Sequence, residues 1–201
     1  MFAKAPQAGR VKTRLAPLIG EEGAARLHAR LVHRALATAR SARCGALELH
    51  CAPRLGDAFF LDCGRRYGAR LRAQGSGDLG ARMRRAFERV LRDSPCAVLI
   101  GSDCPAMRAA DLRAAVRALQ SGDDAVLAPA EDGGYPLIGL RRVSARLFEG
   151  IDWGSERVLA QTRARLRRLG WRWKELRTLW DVDRPADLLR LQRSALLERS
   201  P

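Results

Sequence analysis

Acidic residues stand directly after extended segments at two places in this sequence of 201 residues. Asp103, in G-S-D-C-P, follows the apolar run C-A-V-L-I, which is typical of a strand covered on both faces. Asp181 and Asp183, in D-V-D, follow a predicted extended segment, and strand alternation places them on one side of the chain. Magnesium binds proteins through one or two carboxylates plus substrate phosphates. Asp103 and one aspartate of D-V-D are therefore the predicted metal ligands, for Mg²⁺ or Mn²⁺.

Both aspartate motifs also have a purely structural interpretation. Asp103 could cap the turn that precedes Pro105. Asp183 could be the N-cap of a helix that begins at Arg184 and Pro185. In D-V-D the two roles can coexist, with one aspartate capping the helix and the other binding a cation.

The segment A-K-A-P-Q-A-G-R-V-K-T-R-L, residues 3–15, has the composition of a phosphate-binding loop. It lies between a short apolar stub and a long helical pattern, and Gly9 would let the backbone approach a ligand closely. Lys4, Lys12 and Arg14 supply cations for a polyphosphate. Lys4, Gly9, Lys12 and Arg14 are therefore predicted nucleotide-binding residues. A solvated basic turn explains this segment equally well when it is taken alone.

Two glycine-rich turns are further candidate ligand loops. In Q-G-S-G-D-L-G, Gly77, Asp78 and Gly80 would let a base or ribose lie against the backbone near a helix N-terminus. A flexible surface turn, with Asp78 as N-cap, accounts for the same residues.

The second of these turns is D-G-G-Y, which follows the predicted strand D-A-V-L-A. Its peptide N–H groups could face a sugar or phosphate oxygen, and a tight turn into the next strand is an equal alternative. The predicted residues for the acceptor or sugar are Asp132, Gly133, Gly134 and Tyr135.

Helical and strand patterns alternate along the chain and predict the elements that must position these residues. The predicted helices are 21–39, 58–67, 78–92, 111–120, 144–148, 155–169 and 185–197, and the predicted strands or extended segments are 46–52, 69–74, 96–101, 124–128, 136–140 and 171–180. This alternation predicts one α/β domain over residues 1–201, a three-layer α/β/α arrangement with a mostly parallel sheet. Ligands then bind beyond the carboxyl ends of the strands, which is where the motifs above are expected to meet.

The composition of the chain limits the classes of ligand that it is expected to bind. The net charge is +15, carried mostly by arginines spread over predicted helix faces, and aromatic residues make up only 5% of the chain. This favours anionic, phosphorylated small molecules over nucleic acid, whose binding surfaces combine clustered charge with aromatics.

Five cysteines without a C-x-x-C pair argue against a disulfide framework or zinc ribbon. No apolar run is long enough to span a membrane, so a cytoplasmic location is expected. The three histidines receive no role.

Taken together, these motifs resemble a bacterial family catalogued as a domain of unknown function and described as GT-A-type glycosyltransferases or nucleotide-diphospho-sugar transferases. The resemblance rests on residues 2–15, 74–83, 101–105, 132–140, 153–162 and 181–188, in the family's order. That family is similar to small nucleotidyltransferases such as molybdenum-cofactor guanylyltransferase and 2-phospho-L-lactate guanylyltransferase. The latter also opens with a lysine-containing loop that ends in K-[ST]-R-L.

The resemblance implies a GT-A-like, Rossmann-related fold with Lys12 and Arg14 on a triphosphate, Asp103 on Mg²⁺ and Asp183 as second carboxylate. Gly133 and Gly134 would meet the acceptor or sugar. Two departures stand out. Family members carry a full apolar strand before F-A-K-A-P, where this sequence has only Met1, so a stub of a first strand is expected, with the true start upstream or the protein compromised. Pro136 replaces a hydrophobic residue and should restrict strand pairing.

The resulting hypothesis is a nucleotide-dependent transferase with Lys12 and Asp103 as catalytic residues. Nucleotidyl transfer from an NTP to a phosphorylated or carboxylate acceptor is preferred, because G-S-D lacks the first carboxylate of the D-x-D motif of sugar-transferring GT-A enzymes. Glycosyl transfer from a nucleotide sugar is the alternative. A non-catalytic basic scaffold or nucleic-acid-binding protein is a further one. The base, the acceptor and the oligomeric state are not predicted.

Overall fold

A computed structural model describes residues 1–194 and 196–197, in which strands and helices alternate. The strands are β1 (Phe2–Lys4), β2 (Glu48–Ala52), β3 (Arg70–Ala73), β4 (Ala97–Ile100), β5 (Ala125–Ala128), β6 (Leu137–Leu140) and β7 (Trp173–Glu175). The helices are α1 (Ala16–Ala42), α2 (Ala58–Tyr67), α3 (Leu79–Val90), α4 (Ala109–Gln120), α5 (Ala145–Phe148), α6 (Val158–Arg168) and α7 (Pro185–Arg193). The predicted α/β class is confirmed.

The chain groups into two compact units. The first contains residues 1–74, 101–109 and the segment that starts at Trp180, and the second contains residues 75–100 and 110–179. The prediction of one domain over residues 1–201 stays a prediction.

The sheet of the first unit is parallel, in the order β1-β2-β3. The expected stub is present: β1 has three residues, and Phe2 is in register with His50. Gln74, buried at the end of β3, donates from its Nε2 atom to the carbonyl oxygens of Ala3 at 2.9 Å and His50 at 3.0 Å. This amide therefore holds the ends of all three strands together, immediately before the loops that follow them.

Helix α1 begins earlier than predicted, at Ala16, with Pro17 in its first turn. Gly20 has a positive φ of 71° and interrupts the helical backbone, so the regular part starts at the predicted Glu21. One face of α1 is buried against a cluster that includes Trp180 and Val182 and two leucines of α7, Leu188 and Leu191. Burial of these apolar side chains seats the D-V-D segment against α1.

The second unit has a four-stranded sheet in the order β4-β6-β5-β7. Strands β5 and β7 are parallel, whereas β6 runs antiparallel to both β4 and β5. All four residues of β5 and of β6 are buried. Pro136 stands just before β6, where its missing N–H costs no ladder bond.

Some predicted boundaries differ from the structure. The extended segment 171–180 forms only the three-residue strand β7 and one bridge, between Leu179 and Ala130. Helix α7 ends at Arg193, not 197, because the backbone closes in a turn at Ser194. None of the helices in the described part of the chain combines the length and apolarity that a membrane crossing needs.

Candidate functional site

Lys12 is the centre of a charged cluster in the first unit. Its backbone has φ 49° and ψ 37°, a left-handed conformation, immediately before the 3-10 turn Thr13–Leu15. The ammonium donates to the carbonyl oxygen of Val182 at 2.6 Å and lies 2.9 Å from Asp103 Oδ1 and 3.7 Å from Asp183 Oδ1. Only 3% of the side chain is exposed. The predicted meeting of Lys12, Asp103 and Asp183 is therefore present.

Asp103 uses its two carboxylate oxygens differently. Oδ1 lies 2.9 Å from Lys12 Nζ and accepts from the Ser102 hydroxyl at 3.1 Å. Oδ2 has no partner among the described residues, and 42% of the side chain is exposed. No backbone N–H of the described chain donates to this carboxylate, so the interpretation of Asp103 as a turn cap is wrong. One oxygen is held by protein and the other is open to a ligand.

The ionised form of Asp103 is stabilised by its neighbours. Desolvation by the surrounding protein would raise the pKa of this carboxyl, but the Lys12 ammonium and the His28 imidazole together more than offset it. The net result is a pKa well below its usual range. The backbone carbonyl of Asp103 also accepts from Val182 N at 2.9 Å, which joins this loop to the D-V-D segment. Asp103 therefore presents a fixed negative charge at neutral pH.

Asp183 is the second carboxylate of the cluster. Its Oδ2 accepts from Arg14 Nη1 at 2.6 Å, and its Oδ1 faces Lys12. The alternative that Asp183 caps α7 is wrong, because Asp187 Oδ2 accepts from the backbone N of Asp183 at 3.0 Å and of Arg184 at 2.7 Å. Asp187 satisfies the helix N-terminus, so the Asp183 carboxylate is available for cations.

Asp181 does not join this cluster in the way that strand alternation suggests. It interacts with the buried thiol of Cys104: burial raises the pKa of Cys104 to about 12, and the negative charge of Asp181 adds to the shift. A thiol of this kind is protonated and unreactive at neutral pH. Cys104 is therefore a structural residue.

His28, on α1, is a residue that the sequence analysis missed. Its Nε2 lies 3.0 Å from the carbonyl oxygen of Lys4, at the end of β1. Its Nδ1 lies 3.7 Å from Asp103 Oδ1 and is buried without a hydrogen-bond partner. No sequence signal marks this histidine, because only the packing of α1 against the strand ends brings it to Asp103.

The described residues contain no group of three or more His, Cys, Asp or Glu side chains that could hold a metal ion, so a cation at this cluster would also need ligands from the substrate. Two carboxylates approach the same ammonium, and each keeps capacity for a further partner, since a carboxylate offers about four lone-pair sites. Carboxylate oxygen is the ligand that Mg²⁺ and Mn²⁺ prefer. The charges of Lys12 and Arg14 balance those of Asp103 and Asp183, so the protein groups of the cluster are neutral overall. A metal cation could therefore bind here together with an anionic ligand. Asp103 and Asp183 would hold it.

A polar cleft lies beside the opening loop, but the other predicted residues of this loop, Lys4 and Gly9, are not among the residues that line it. The Lys4 side chain and Gly9 are exposed, and Gly9 has φ 71° with the Glu21 carboxylate close to the place where a Cβ would stand. A cleft of about 490 Å³ lies between this loop and the loop after β2 and is lined by Gln7, Arg10, Pro53, Arg54, Gly56 and Asp57. Arg54 and Asp57 were not among the predicted site residues, although both follow a strand end.

The glycine turn before α3 belongs to the second unit and has structural explanations. Asp78 is the N-cap of α3, accepting from Ala81 N at 2.7 Å. A Cβ at Gly80 would stand 2.6 Å from Trp153 Nε1, so close packing requires glycine there. Gly77, with φ 87°, forms the turn around the Arg85 guanidinium. Whether these residues also bind a nucleotide stays a prediction.

The D-G-G-Y turn of the second unit is equally tight. Asp132 Oδ1 accepts from Gly134 N at 2.9 Å. Gly133 has φ 85°, and a Cβ there would overlap the backbone of Glu156, while its carbonyl accepts from Leu159 N at 2.9 Å. Tyr135 shares a hydrogen bond with Thr162. These contacts account for the residue types, and the predicted role toward an acceptor or sugar stays a prediction.

Comparisons with known proteins agree with the fold and the motifs. Residues 35–155 match the family described as uncharacterized protein conserved in bacteria (DUF2064), to which this chain belongs. A candidate nucleotide-diphospho-sugar transferase from Desulfovibrio desulfuricans G20 has 33% sequence identity and a TM-score of 0.85, over 99% of this chain and 88% of that one. No curated protein matched the chain.

More distant structures share the fold. A cytidylyltransferase from Leptospira borgpetersenii is 12% identical with a TM-score of 0.61, over 96% of this chain and 84% of its own. Glucosyl-3-phosphoglycerate synthase from Mycobacterium tuberculosis, solved with Mn²⁺, UDP and glucosyl-3-phosphoglycerate, is 14% identical with a TM-score of 0.53, over 86% and 73%. Together with the relative from D. desulfuricans, these structures confirm the predicted GT-A-like fold.

Proposed function

We propose that this chain is a metal-dependent nucleotidyltransferase that moves a nucleotidyl group from an NTP to a small phosphorylated or carboxylate acceptor. The observation that carries the proposal is the cluster in which one buried ammonium, Lys12, holds Asp103 and Asp183 side by side. The cluster stands at the carboxyl end of a parallel sheet, where α/β proteins bind ligands. Its second cation, Arg14, has 65% of its side chain exposed.

In this proposal the acceptor oxygen attacks the α-phosphate of the NTP, and pyrophosphate leaves. Arg14 is the cation open to the phosphate oxygens, while Lys12 acts through the two carboxylates that it holds. A divalent cation bound to Asp103 and Asp183 would supply charge neutralisation for the triphosphate. The acceptor is already an anion, so it can attack without a protein nucleophile or general base. The protein's contribution is then to position the reactants and to supply preorganised charge.

Glycosyl transfer from a nucleotide sugar is the second candidate. The relative from D. desulfuricans favours it, because that protein is described as a candidate nucleotide-diphospho-sugar transferase. The G-S-D sequence favours nucleotidyl transfer, because Gly101 supplies no carboxylate two residues before Asp103. The two reactions release different products, which an assay can separate.

The test is a thermal-shift screen of NTPs and nucleotide sugars with and without Mg²⁺ or Mn²⁺. A ligand at about 100 times its Kd stabilises the folded state by about 2.7 kcal/mol, a shift in Tm on the order of 5–10 °C for a chain of this size. We expect such a shift with an NTP only when metal is present. Pyrophosphate release from that NTP in the presence of acceptors supports nucleotidyl transfer, and NDP release from a nucleotide sugar supports the alternative.

Two variants make the screen specific. Asp103→Ala should stay folded and lose the metal-dependent shift. Its own Tm should fall by several degrees, because the change also removes the Oδ1 partner of the buried Lys12 ammonium, so the shift is measured against the variant's own Tm. Asp93→Ala, an exposed aspartate in the loop before β4, should retain the full shift. An Asp103→Ala protein with unchanged nucleotide affinity would contradict the proposal. Tight, salt-sensitive binding to DNA or RNA with no metal-dependent nucleotide shift would favour a non-catalytic protein instead.

A further inference from the structure

A pocket of about 440 Å³ in the second unit lies outside the site described above. Its lining residues come from α5, from the turn that follows it and from the end of α6: Arg146, Glu149, Gly150, Arg165, Arg168 and Leu169. A volume of this size is within the range of small-molecule sites in proteins. Because three of the lining residues are arginines, the pocket is a candidate site for an anion.

The spacing of the arginines explains why their side chains meet at this pocket. Arg165 and Arg168 are three residues apart near the C-terminal end of α6, and residues with this spacing lie on one face of a helix. Arg146 lies on α5, which packs against α6. Two helices therefore bring three guanidinium groups to the wall of one cavity.

These arginines have no counter-ion among the residues that the structure describes. No ion pair there joins Arg146, Arg165 or Arg168 to a carboxylate. By contrast, Arg163 on the same helix bonds both carboxylate oxygens of Glu175. Like charges that gather without a counter-ion repel one another, and an anion bound among them removes that repulsion.

The end of α6 does not need these guanidinium groups for its own hydrogen bonds. The carbonyl oxygens of Arg165, Leu166 and Arg167 accept from backbone N–H groups of the closing turn, at 3.0, 3.1 and 3.0 Å. The negative end of the α6 dipole also attracts cations, but this effect falls off within one turn and does not account for Arg146, on another helix.

Gly150 gives the Arg165 guanidinium its place beside the pocket. Arg165 Nη2 makes a long hydrogen bond of 3.4 Å to the carbonyl oxygen of Gly150. A Cβ at position 150 would stand 2.7 Å from the same nitrogen, and Gly150 has φ 64°, so both space and backbone conformation require glycine here. The guanidinium is therefore held by the backbone, while its other N–H groups remain available to a ligand.

We propose that this pocket binds the phosphate group of a small phosphorylated polyol, such as a sugar phosphate. The N–H fork of a guanidinium matches two phosphate oxygens at once. Three arginines against one glutamate give the lining a net charge of +2, which matches the dianion of a phosphate monoester. The Glu149 carboxylate can only accept, so it selects a ligand that carries a hydroxyl donor next to its phosphate. Such a site is additional to the Lys12 cluster and does not depend on the transfer reaction proposed above.

The experiment is a calorimetric titration of the full chain with glycerol 3-phosphate in the presence of EDTA, which prevents metal-dependent binding. The wild type should bind glycerol 3-phosphate more tightly than inorganic phosphate. Arg146→Gln combined with Arg168→Gln should weaken this binding at least about tenfold, because each change removes a charged hydrogen-bond donor. Both side chains are exposed, so the double variant should keep the Tm of the wild type.

Arg113→Gln combined with Arg117→Gln is the matched control. Both arginines are exposed on α4, and their replacement lowers the net charge of the chain by the same amount. The control should lose less than about twofold in affinity, since distant surface charges are screened. Equal losses in the two double variants, or no binding by the wild type, overturn the proposal. The pocket variant should keep the metal-dependent nucleotide shift, so the two proposals fail separately.

Glu149→Gln tests the class of ligand. Removal of the negative charge should strengthen the binding of inorganic phosphate, whereas glycerol 3-phosphate loses a charged acceptor for its hydroxyls. The ratio of the two Kd values should therefore change at least about fivefold in favour of inorganic phosphate. An unchanged ratio, or a wild type that prefers inorganic phosphate, overturns the assignment to a phosphorylated polyol.

Discussion

The Lys12 ammonium and the Asp103 carboxylate are 2.9 Å apart, yet they differ sharply in exposure: 3% of the lysine side chain and 42% of the aspartate side chain are accessible. The cation is thus on the protein side of the pair and the anion on the solvent side. A buried charge of this kind is retained only when it is well paired. In the proposed site this arrangement would present negative charge to a metal and leave the more exposed Arg14 for phosphate.

Replacing Lys12 should destabilise the protein more than replacing Arg14. Lys12→Met keeps the linear stem but leaves two carboxylates and the Val182 carbonyl without their donor, and we expect a loss of about 2 kcal/mol. Arg14→Met removes only an exposed pair with Asp183 and should cost less than about 1 kcal/mol. Urea unfolding at neutral pH measures both. Equal losses in the two variants would argue against Lys12 as the centre of the cluster.

Gly133 should be among the least replaceable glycines of the second unit. Gly133→Ala combines a φ of 85° with overlap of the new Cβ and the Glu156 backbone, and we expect a loss of about 3 kcal/mol or more. Gly154→Ala is the control: its φ is 87°, but no atom lies within 4 Å of the new Cβ, so only the backbone cost of about 1 kcal/mol remains. Thermal unfolding of the pair separates packing from backbone strain, and similar Tm values would refute the packing argument.

A pH-dependent contribution to stability should come from Glu175 and Arg163. The Arg163 guanidinium bonds both carboxylate oxygens, at 2.8 Å and 2.7 Å, and holds the pKa of Glu175 below its ordinary value. A carboxyl with a lowered pKa stabilises the fold above its unfolded pKa and loses that effect as the pH falls through the folded pKa.

We therefore expect Arg163→Met to cost about 1 kcal/mol at pH 7 and progressively less at pH values below about 4. Denaturant unfolding of both proteins across that range tests this. Arg168→Met, a change at an exposed arginine of the same helix that is not among the groups acting on Glu175, should show no such trend. A cost for Arg163→Met that stays constant down to pH 3 would show that the carboxylate is not responsible.

Variants of Asp183 and Asp187 should separate an effect on ligand binding from an effect on the stability of the fold. Asp187→Ala removes the acceptor for two backbone N–H groups and should cost about 1 kcal/mol. Asp183→Ala should cost less but should weaken metal-dependent nucleotide binding at least tenfold. Calorimetric titration and urea unfolding of both variants decide the matter. The assignment fails if Asp183→Ala binds nucleotide and metal as the wild type does.

Most of the helices and strands could be predicted because their patterns are local. The run C-A-V-L-I and the amphipathic stretch of α1 each carry a period that the structure retains. The antiparallel direction of β6 could not be read in this way, because a strand's pattern is the same in either direction. Gly20 also interrupts α1 without any change in the flanking apolar pattern.

The site was predictable where its residues follow strand ends. Lys12, Asp103 and Asp183 stand in loops whose position follows from the α/β alternation, so their meeting could be anticipated. Asp187 as the cap was not predicted, because R-P-A-D lacks the serine or threonine that marks a capping box, and Asp183 was the expected cap. His28 was not predicted either, because its contact with Asp103 depends on how one helix packs, and no short-range pattern encodes that.

The first unit is assembled from three separate stretches of chain, and the last of them begins at Trp180. Lys12 is therefore synthesised about 170 residues before the Val182 carbonyl and the Asp183 carboxylate that contact its ammonium. A nascent or prematurely terminated polypeptide that ends before residue 182 would contain Lys12 without these two partners. The proposed ligand site can therefore form only after residues 182 and 183 have been synthesised.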